Sequence, residues 1–378
     1  ESIKHNRRIG KAVVVCSADV RKAYPSVNRA QMLHELKQLG VGNSLFHAIA
    51  SMYEDNRSQV LTSEDGVTST EYSVENGLRE GAVCSPLLYV VFCTGLIKKL
   101  KSGPTAALGM TVGSEWMGAQ MWADDLLLMT AHESAAVAEH QMAPMQGVRL
   151  AGAHEKHYAH STAQQTQMLV IDGTAATEQE LKNEADLRAG RPVQDSTGEW
   201  PMGTQVSAVK FLGTVLDKRL NWDRHFAHRH SEAADADYHV RQLARHRRLP
   251  IADTTQEVER TAMQSLFYGT AAIAVHCRAH WEALDKAVAR AAALALGLHK
   301  TVTPEMAAHS MQWKSARERV QRMQLRLLWE LETKAPARAR RVHHERVTAA
   351  VPAVSQARHL QPWHAVVGEA LQRSLPAD

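Results

Sequence analysis

Residues 121 to 129 read MWADDLLLM, which sets two adjacent carboxylates, Asp124 and Asp125, inside an apolar run. Burying an unpaired charge is expensive, so the pair must either reach solvent at a turn or meet a cation. A third carboxylate, Asp19, closes the β-branched run KAVVVCSADV at residues 11 to 20. A strand-ending aspartate and a hairpin-tip pair can converge on one edge of an antiparallel sheet, where their oxygens form the hard ligand set that Mg²⁺ prefers. Two such ions suit phosphoryl transfer. One lowers the pKa of an attacking 3′-hydroxyl, and the other holds the triphosphate and its leaving group.

The elements that must position these residues follow from periodicity. Residues 11 to 20 predict a strand, and NRAQMLHELKQLGVG at 28 to 42 predicts a helix with Gly40 as its stop. Residues 58 to 74 predict a hairpin turning at Glu64-Asp65-Gly66, and 85 to 103 a helix with Pro86 in its first turn. Residues 118 to 130 then give strand, polar turn and strand, with both aspartates in the turn, and 173 to 203 reads as a polar insertion or loop. Beyond about residue 225 the chain becomes Ala- and Arg-rich, with helical periods at 229 to 248, 255 to 275, 280 to 298 and 304 to 332. Thr254 or Thr255 is the expected N-cap, Gly297 the C-cap and Pro304 a first-turn proline. Two basic clusters, HVRQLARHRRLP (239 to 250) and ARARRVHHERV (337 to 347), are able to meet phosphates, although a solvated helix face is the simpler expectation.

Composition sets outer limits. A 378-residue chain with ordinary apolar content supports one large or two medium domains. The formal charge of +4, with 21 histidines in reserve, permits a polyanionic partner without demanding one. Cys16, Cys84, Cys93 and Cys277 show no zinc-ligand spacing and are expected as thiols. No apolar stretch reaches the roughly 18 to 20 residues of a membrane span, and the start lacks a signal-peptide core, so no membrane association and an intracellular setting are expected.

Four segments in order carry a resemblance: ADVRKAYPSV, GLREGAVCSPLL, WADDLLLM and VKFLGTVLDKRLNWDRHF. They resemble motifs A, B, C and E of reverse transcriptases, particularly those of non-LTR retrotransposons, and residues 266 to 302 are similar to the helical region that follows the polymerase core in those elements. The resemblance implies an α+β fold. A polymerase palm, an antiparallel sheet packed on helices with partial fingers, would span 1 to 225. An all-helical thumb-like domain would span 226 to 335, and a basic C-terminal tail 336 to 378.

The resemblance also implies roles. Asp19 and Asp124 would ligate two Mg²⁺ ions, for which Mn²⁺ can substitute, with Asp125 in support and Val20 offering its backbone carbonyl. Tyr24 would pack under the incoming sugar and reject a 2′-hydroxyl. Gly77, Arg79, Glu80, Gly81, Ser85 and Pro86 would contact nucleotide and template. Phe211, Leu212 and Gly213 would grip the primer end, with Trp222 and His225 completing that pattern. Lys156 would protonate the pyrophosphate leaving group. RNA template, DNA primer and deoxynucleoside triphosphates are the implied partners, and the nucleus the implied location.

Three departures shape the expectation. Trp122 stands where Tyr or Phe is usual, Glu80 where Gln is usual, and Pro25 where a second aspartate is frequent. Motif A begins near the start of the chain, so most of the fingers are expected to be missing and the stretch to be a fragment of a longer element with weak activity on its own. The alternative is a degenerate or repurposed relative that binds nucleic acid or protein without catalysis.

Overall fold

The computed structural model describes residues 2–20, 22–61, 68–155, 166–171, 192–194, 201–273, 275, 277–298, 303–337, 339–340 and 343. Its centre is a strand with no polar face. β1 (Ala12–Asp19) runs through a six-stranded sheet and pairs antiparallel on one side with β7 (Asp125–His132) and on the other with β8 (Thr166–Ile171). Val14 and Cys16 face a core built with Leu96, Leu100, Met142 and Met145 from the helices, whereas Val13 and Val15 face Ile3, Met110, Leu169 and Val209. A strand covered on both faces needs a continuous apolar run rather than alternation, and that is what the sequence supplies. β6 (Ala119–Trp122) forms one edge, and β9 (Pro192–Gln194) and β10 (Pro201–Gln205) complete the other.

Two of these strands fall in or at the end of the stretch 173 to 203 that reads as a polar insertion or loop, so it is not all loop. Backbone pairing of β10 with β8 holds that stretch to the sheet, and the remaining residues of the segment lie outside the described ones. The Glu64-Asp65-Gly66 turn also lies outside them, but its hairpin stems are seen: β2 (Arg57–Ser58) pairs with β3 (Tyr72–Ser73).

Helices contribute to the cores on both sheet faces. α1 (Ser2–Arg8) precedes β1, and α2 (Arg29–Gln38) starts where the Asn28 side chain accepts from the Gln31 amide at 2.9 Å. It stops before Gly40, whose φ of +81° no helix accommodates. α3 (Asn43–Ser51) was not anticipated. α4 (Ser85–Leu100) carries Pro86 in its first turn as expected. α5 (Ala135–Glu155) packs against β1 and β7. Two small hairpins flank the sheet, β4 (Thr111–Val112) with β5 (Glu115–Trp116), and β11 (Ala208–Phe211) with β12 (Thr214–Asp217).

The described residues from 223 onward are mainly helical, as expected, around their own core of Phe226, Val258, Leu266, Leu284, Val288 and Val320. α6 (Asp223–Arg247) leads to α7 (Ile251–Arg260), α8 (Ala262–Phe267), α9 (Arg278–Ala295), α10 (Pro304–Ser310) and α11 (Ala316–Thr333). Two of the long predicted helices are divided. Thr254 and Thr255 are not N-caps: α7 begins earlier, and their hydroxyls bond back to the carbonyls of Pro250 at 3.0 Å and Ile251 at 2.7 Å. The break between α10 and α11 is set by Ser315 and Glu318, a capping box that opens a new helix. Gly297 does terminate α9, with the Leu298 amide donating to the Ala293 carbonyl at 3.0 Å. Among the described residues no helix is long and apolar enough to cross a membrane, and none of the four cysteines is in a disulfide.

Candidate active site

β6 and β7 are joined by two residues, Ala123 and Asp124, since Trp122 pairs with Asp125 across the ladder. Asp125 is therefore the first residue of β7 rather than part of the turn, a one-residue correction to the sequence reading. Ala123 takes a φ of +51°, unusual for a residue with a side chain, and Asp124 is exposed beside it. Leu126 to Thr130 are buried immediately after. The pair thus escapes burial at the end of a strand that is otherwise core.

The β1–β7 register ends at Asp19 opposite Asp125, and the Val20 amide then donates to the Asp124 carbonyl at 3.1 Å. Asp19, Val20, Asp124 and Asp125 accordingly meet at one sheet edge. The exposed Asp124 and half-buried Asp125 are oxygen donors of the kind a hard divalent cation takes. Among the described residues no group of three His, Cys, Asp or Glu side chains is already gathered as a metal cluster, and the Asp19 side chain lies outside that set.

The turn after β1 is welded to the segment before α4. The amides of Gly77 and Leu78 donate to the carbonyls of Val27 at 2.8 Å and Tyr24 at 2.9 Å. From the first turn of α2, Arg29 donates to the carbonyls of Val74, Asn76 and Gly77, while its guanidinium lies 5.2 Å from the Tyr53 ring centroid. One arginine fork thus fixes three carbonyls of the single stretch 74 to 77.

Tyr24 is half-buried, and its ring lies 5.4 Å from that of Tyr89 on α4. Tyr89 is 1% exposed, and among the described residues its hydroxyl finds no oxygen or nitrogen partner. Burial pushes that phenol well above its ordinary pKa, helped by the neighbouring Cys93 and by the charge of Asp124. The thiol of Cys93 is at most a weak partner for it. Tyr89 also lines a cavity of about 430 Å³ that reaches Met121 and Ala123, directly behind the aspartate turn.

The loop residues divide into two groups. Glu80, Gly81 and Pro86 are exposed, and Gly81 uses a φ of +80° in open space. Ser85 is buried and its hydroxyl donates to the Arg79 carbonyl at 2.6 Å, which makes it a helix-entry residue. Arg79 is exposed but its guanidinium donates to Asn56 Oδ1 at 2.7 Å.

The β11–β12 hairpin turns on Leu212 and Gly213, both at positive φ (+47° and +71°), the geometry of a two-residue hairpin turn. Tyr268, from the end of α8, donates its hydroxyl to the Leu212 carbonyl at 2.8 Å, and its ring packs against Gly213. His225 is fully buried. Its Nδ1 accepts from the Val215 amide at 3.3 Å and its Nε2 lies 3.2 Å from the Tyr268 carbonyl. Burial lowers its pKa to about 4. His225 and Trp222, itself buried, therefore tie the hairpin to the helices, while Phe211, Leu212 and Gly213 remain half-buried at its tip. Lys156 lies outside the described residues.

Sequence reasoning missed Arg29, Tyr89 and Tyr268. Tyr89 stands four residues after Ser85 on the buried face of a helix that was predicted, so an aromatic at that spacing was a usable signal. Arg29 and Tyr268 act through contacts 48 and 56 residues away in sequence, which no local pattern announces.

A family model described as reverse transcriptase (RNA-dependent DNA polymerase) matches residues 1–215. Among curated proteins the chain is similar to a retrovirus-related Pol polyprotein from type-1 retrotransposable element R2 of Popillia japonica, 28% identical over 127 residues. That match covers 34% of this chain and 17% of the relative. A second such polyprotein from the same organism is also 28% identical over 127 residues, with 34% of this chain and 20% of the relative covered. The Pol polyprotein from type-2 retrotransposable element R2DM of Drosophila melanogaster is 25% identical over 126 residues, covering 33% of this chain and 11% of the relative. The matched stretch thus spans a fifth or less of the curated relatives.

Proposed function

The chain belongs to the reverse transcriptase (RNA-dependent DNA polymerase) family, and from that premise we propose that it is the palm and thumb of an RNA-directed DNA polymerase from a non-LTR retrotransposon of the R2 kind. The observation that carries this reading is the register of Asp19 opposite Asp125, with the Asp124 carbonyl bonded to the Val20 amide. It brings motif residues a hundred positions apart to one sheet edge. Residues 1–225 would be palm with partial fingers, 226–335 the thumb, and 336–378 a basic tail.

Asp19, Asp124, Asp125 and the Val20 carbonyl would hold two Mg²⁺ ions, with Mn²⁺ as substitute. Bound there, such ions acidify an attacking 3′-hydroxyl and offset charge on the phosphates. In the reaction the primer 3′-oxygen forms a bond to the α-phosphorus and the α–β phosphoanhydride breaks. Pyrophosphate leaves, and Lys156 would return a proton to it.

The protein's part is positioning. Tyr24, shelved on Tyr89, would set the floor under the sugar, and the Arg29 fork would hold the loop of Arg79, Glu80 and Gly81 against that floor. Ser85 would fix where α4 begins and Pro86 would lie at its exposed start. The hairpin of Phe211, Leu212 and Gly213 would meet the primer strand. RNA template, DNA primer and deoxynucleoside triphosphates are the substrates of this reading, and chromosomal priming would place the work in the nucleus.

Primer extension on an RNA template with Mg²⁺ tests it. The wild type should incorporate deoxynucleotides and Asp124→Ala should not, and because Asp124 is exposed the variant should fold. Absence of wild-type extension, or equal extension by both, favours the non-catalytic nucleic-acid-binding alternative.

A further inference from the structure

The basic segment at 239 to 250 is not used by the catalytic reading, yet it lies on a groove. α6, α7 and α9 enclose a cleft of about 860 Å³, into which Arg241 and Arg245 of α6 and Arg290 of α9 all face. Small residues, among them Ala233 and Ala287, form its floor, and Tyr238 stands beside it 59% exposed.

Two buried polar atoms in the lining have no hydrogen-bond partner among the described residues, Asp237 Oδ1 and His230 Nε2. Orphaned polar atoms of this kind are costly unless something meets them. Asp237 is faced by His230 and Arg241 on its own helix and by Arg290 from α9, and α7 adds only Ile251 and Thr254. Burial raises the Asp237 carboxyl to about 6 against the pull of both arginines, and burial together with Arg290 holds His230 below its usual range. The cleft therefore presents three guanidinium groups around one carboxylate acceptor and an imidazole held below its usual range.

We propose that this cleft binds a single strand of nucleic acid, its phosphates on Arg241, Arg245 and Arg290 and a base edge donating to Asp237. Guanidinium forks match phosphate oxygens. An exposed tyrosine at the rim offers a face on which a base can stack, the usual partner of a basic channel for single strands. A duplex about 20 Å across does not enter a cleft recessed between helices that pack roughly 10 Å apart. The inference deepens the proposed function by placing a strand contact on the helical part, and its test does not use the polymerase step.

Fluorescence anisotropy with an end-labelled, mixed-sequence single-stranded RNA measures it. The double variant Arg241→Gln, Arg290→Gln should bind about tenfold or more weakly and lose about one to two units of salt slope. Arg278→Gln, which removes an exposed arginine paired with Glu282, should bind like the wild type and serves as the control for lost charge. Wild-type failure to bind, a double variant within about twofold of wild type, tighter binding of the matching duplex, or displacement by micromolar nucleoside monophosphate would each overturn the assignment. A defect in primer extension that leaves this binding intact bears on the catalytic reading alone.

Discussion

Gly77 approaches Pro25 so closely that a Cβ on residue 77 would stand 2.9 Å from both the Cα and the carbonyl oxygen of Pro25. That contact, made at a φ of +91°, lets the loop before α4 dock on the turn after β1. Neither backbone can yield, because Arg29 holds one side and the Tyr24 and Val27 carbonyls hold the other. Gly77→Ala should therefore destabilise the protein by about 2 to 3 kcal/mol, the cost of a side chain at positive φ with a backbone clash added. Chemical denaturation reads it directly, and a loss below about 0.5 kcal/mol would show that the two segments separate easily.

Tyr89 separates packing from hydrogen bonding at the sugar floor. Tyr89→Phe keeps the ring beneath Tyr24 and removes a buried hydroxyl whose neighbour is the weakly bonding Cys93 thiol, so stability should be unchanged or slightly higher. Tyr89→Leu removes the shelf. Ribonucleotide incorporation relative to deoxynucleotide should rise about tenfold in the leucine variant and stay within about twofold in the phenylalanine variant. Competitive incorporation assays with both precursors check this, and equal selectivity in the two variants would detach Tyr24 from the role assigned to it.

Much of this arrangement was legible in the sequence, for reasons that differ by element. β1 announced itself because a strand covered on both faces needs the run Ala12 to Ala18, and the aspartate hairpin because a polar pair interrupts two apolar strands. The placement of Asp125 on the strand rather than in the turn was not legible, since one-residue register is settled by pairing with β1. The polar stretch near 192 to 205 reads as loop by composition but is recruited as edge strands through backbone bonds that do not depend on side chains. Likewise Thr254 looks like a cap and is instead held inside α7. The roles of Arg29 and Tyr268 were hidden because both act on carbonyls, which every residue has.

The tip of the β11–β12 hairpin should report on Tyr268. Tyr268→Phe removes the bond to the Leu212 carbonyl and should cost about 1 kcal/mol. Gly213→Ala should cost more, because its Cβ would meet the Tyr268 ring at 2.9 Å and its φ is +71°. Hydrogen exchange at the Thr214 and Val215 amides should accelerate in both variants, and unchanged protection would mean that the hairpin holds its shape without the helices.

Acid stability should carry the mark of His225. Its folded pKa of about 4 lies below the ordinary 6.5, so between those values the unfolded chain holds a proton that the folded chain does not. Stability from this group is present above pH 6.5 and is lost as pH falls toward 4, by up to about 3 kcal/mol. Asp237, raised from 3.8 to about 6, works in the opposite direction over much of the same range. The comparison with His225→Gln isolates the first effect: denaturation midpoints of the wild type should fall more steeply between pH 6.5 and 4.5 than those of the variant. Parallel curves would show that His225 takes up its proton in the folded state.

Asp19 and the aspartate hairpin must form one site if the chain is to work as a polymerase. Single-nucleotide primer extension on an RNA template, comparing wild type, Asp19→Asn, Asp124→Asn and the double variant, measures this directly. Groups that act as a unit are not additive, so each single change should abolish nearly all of the wild-type rate and the double should be no slower than either. Substantial extension by Asp19→Asn, or a double variant whose loss is the product of two modest ones, would contradict it.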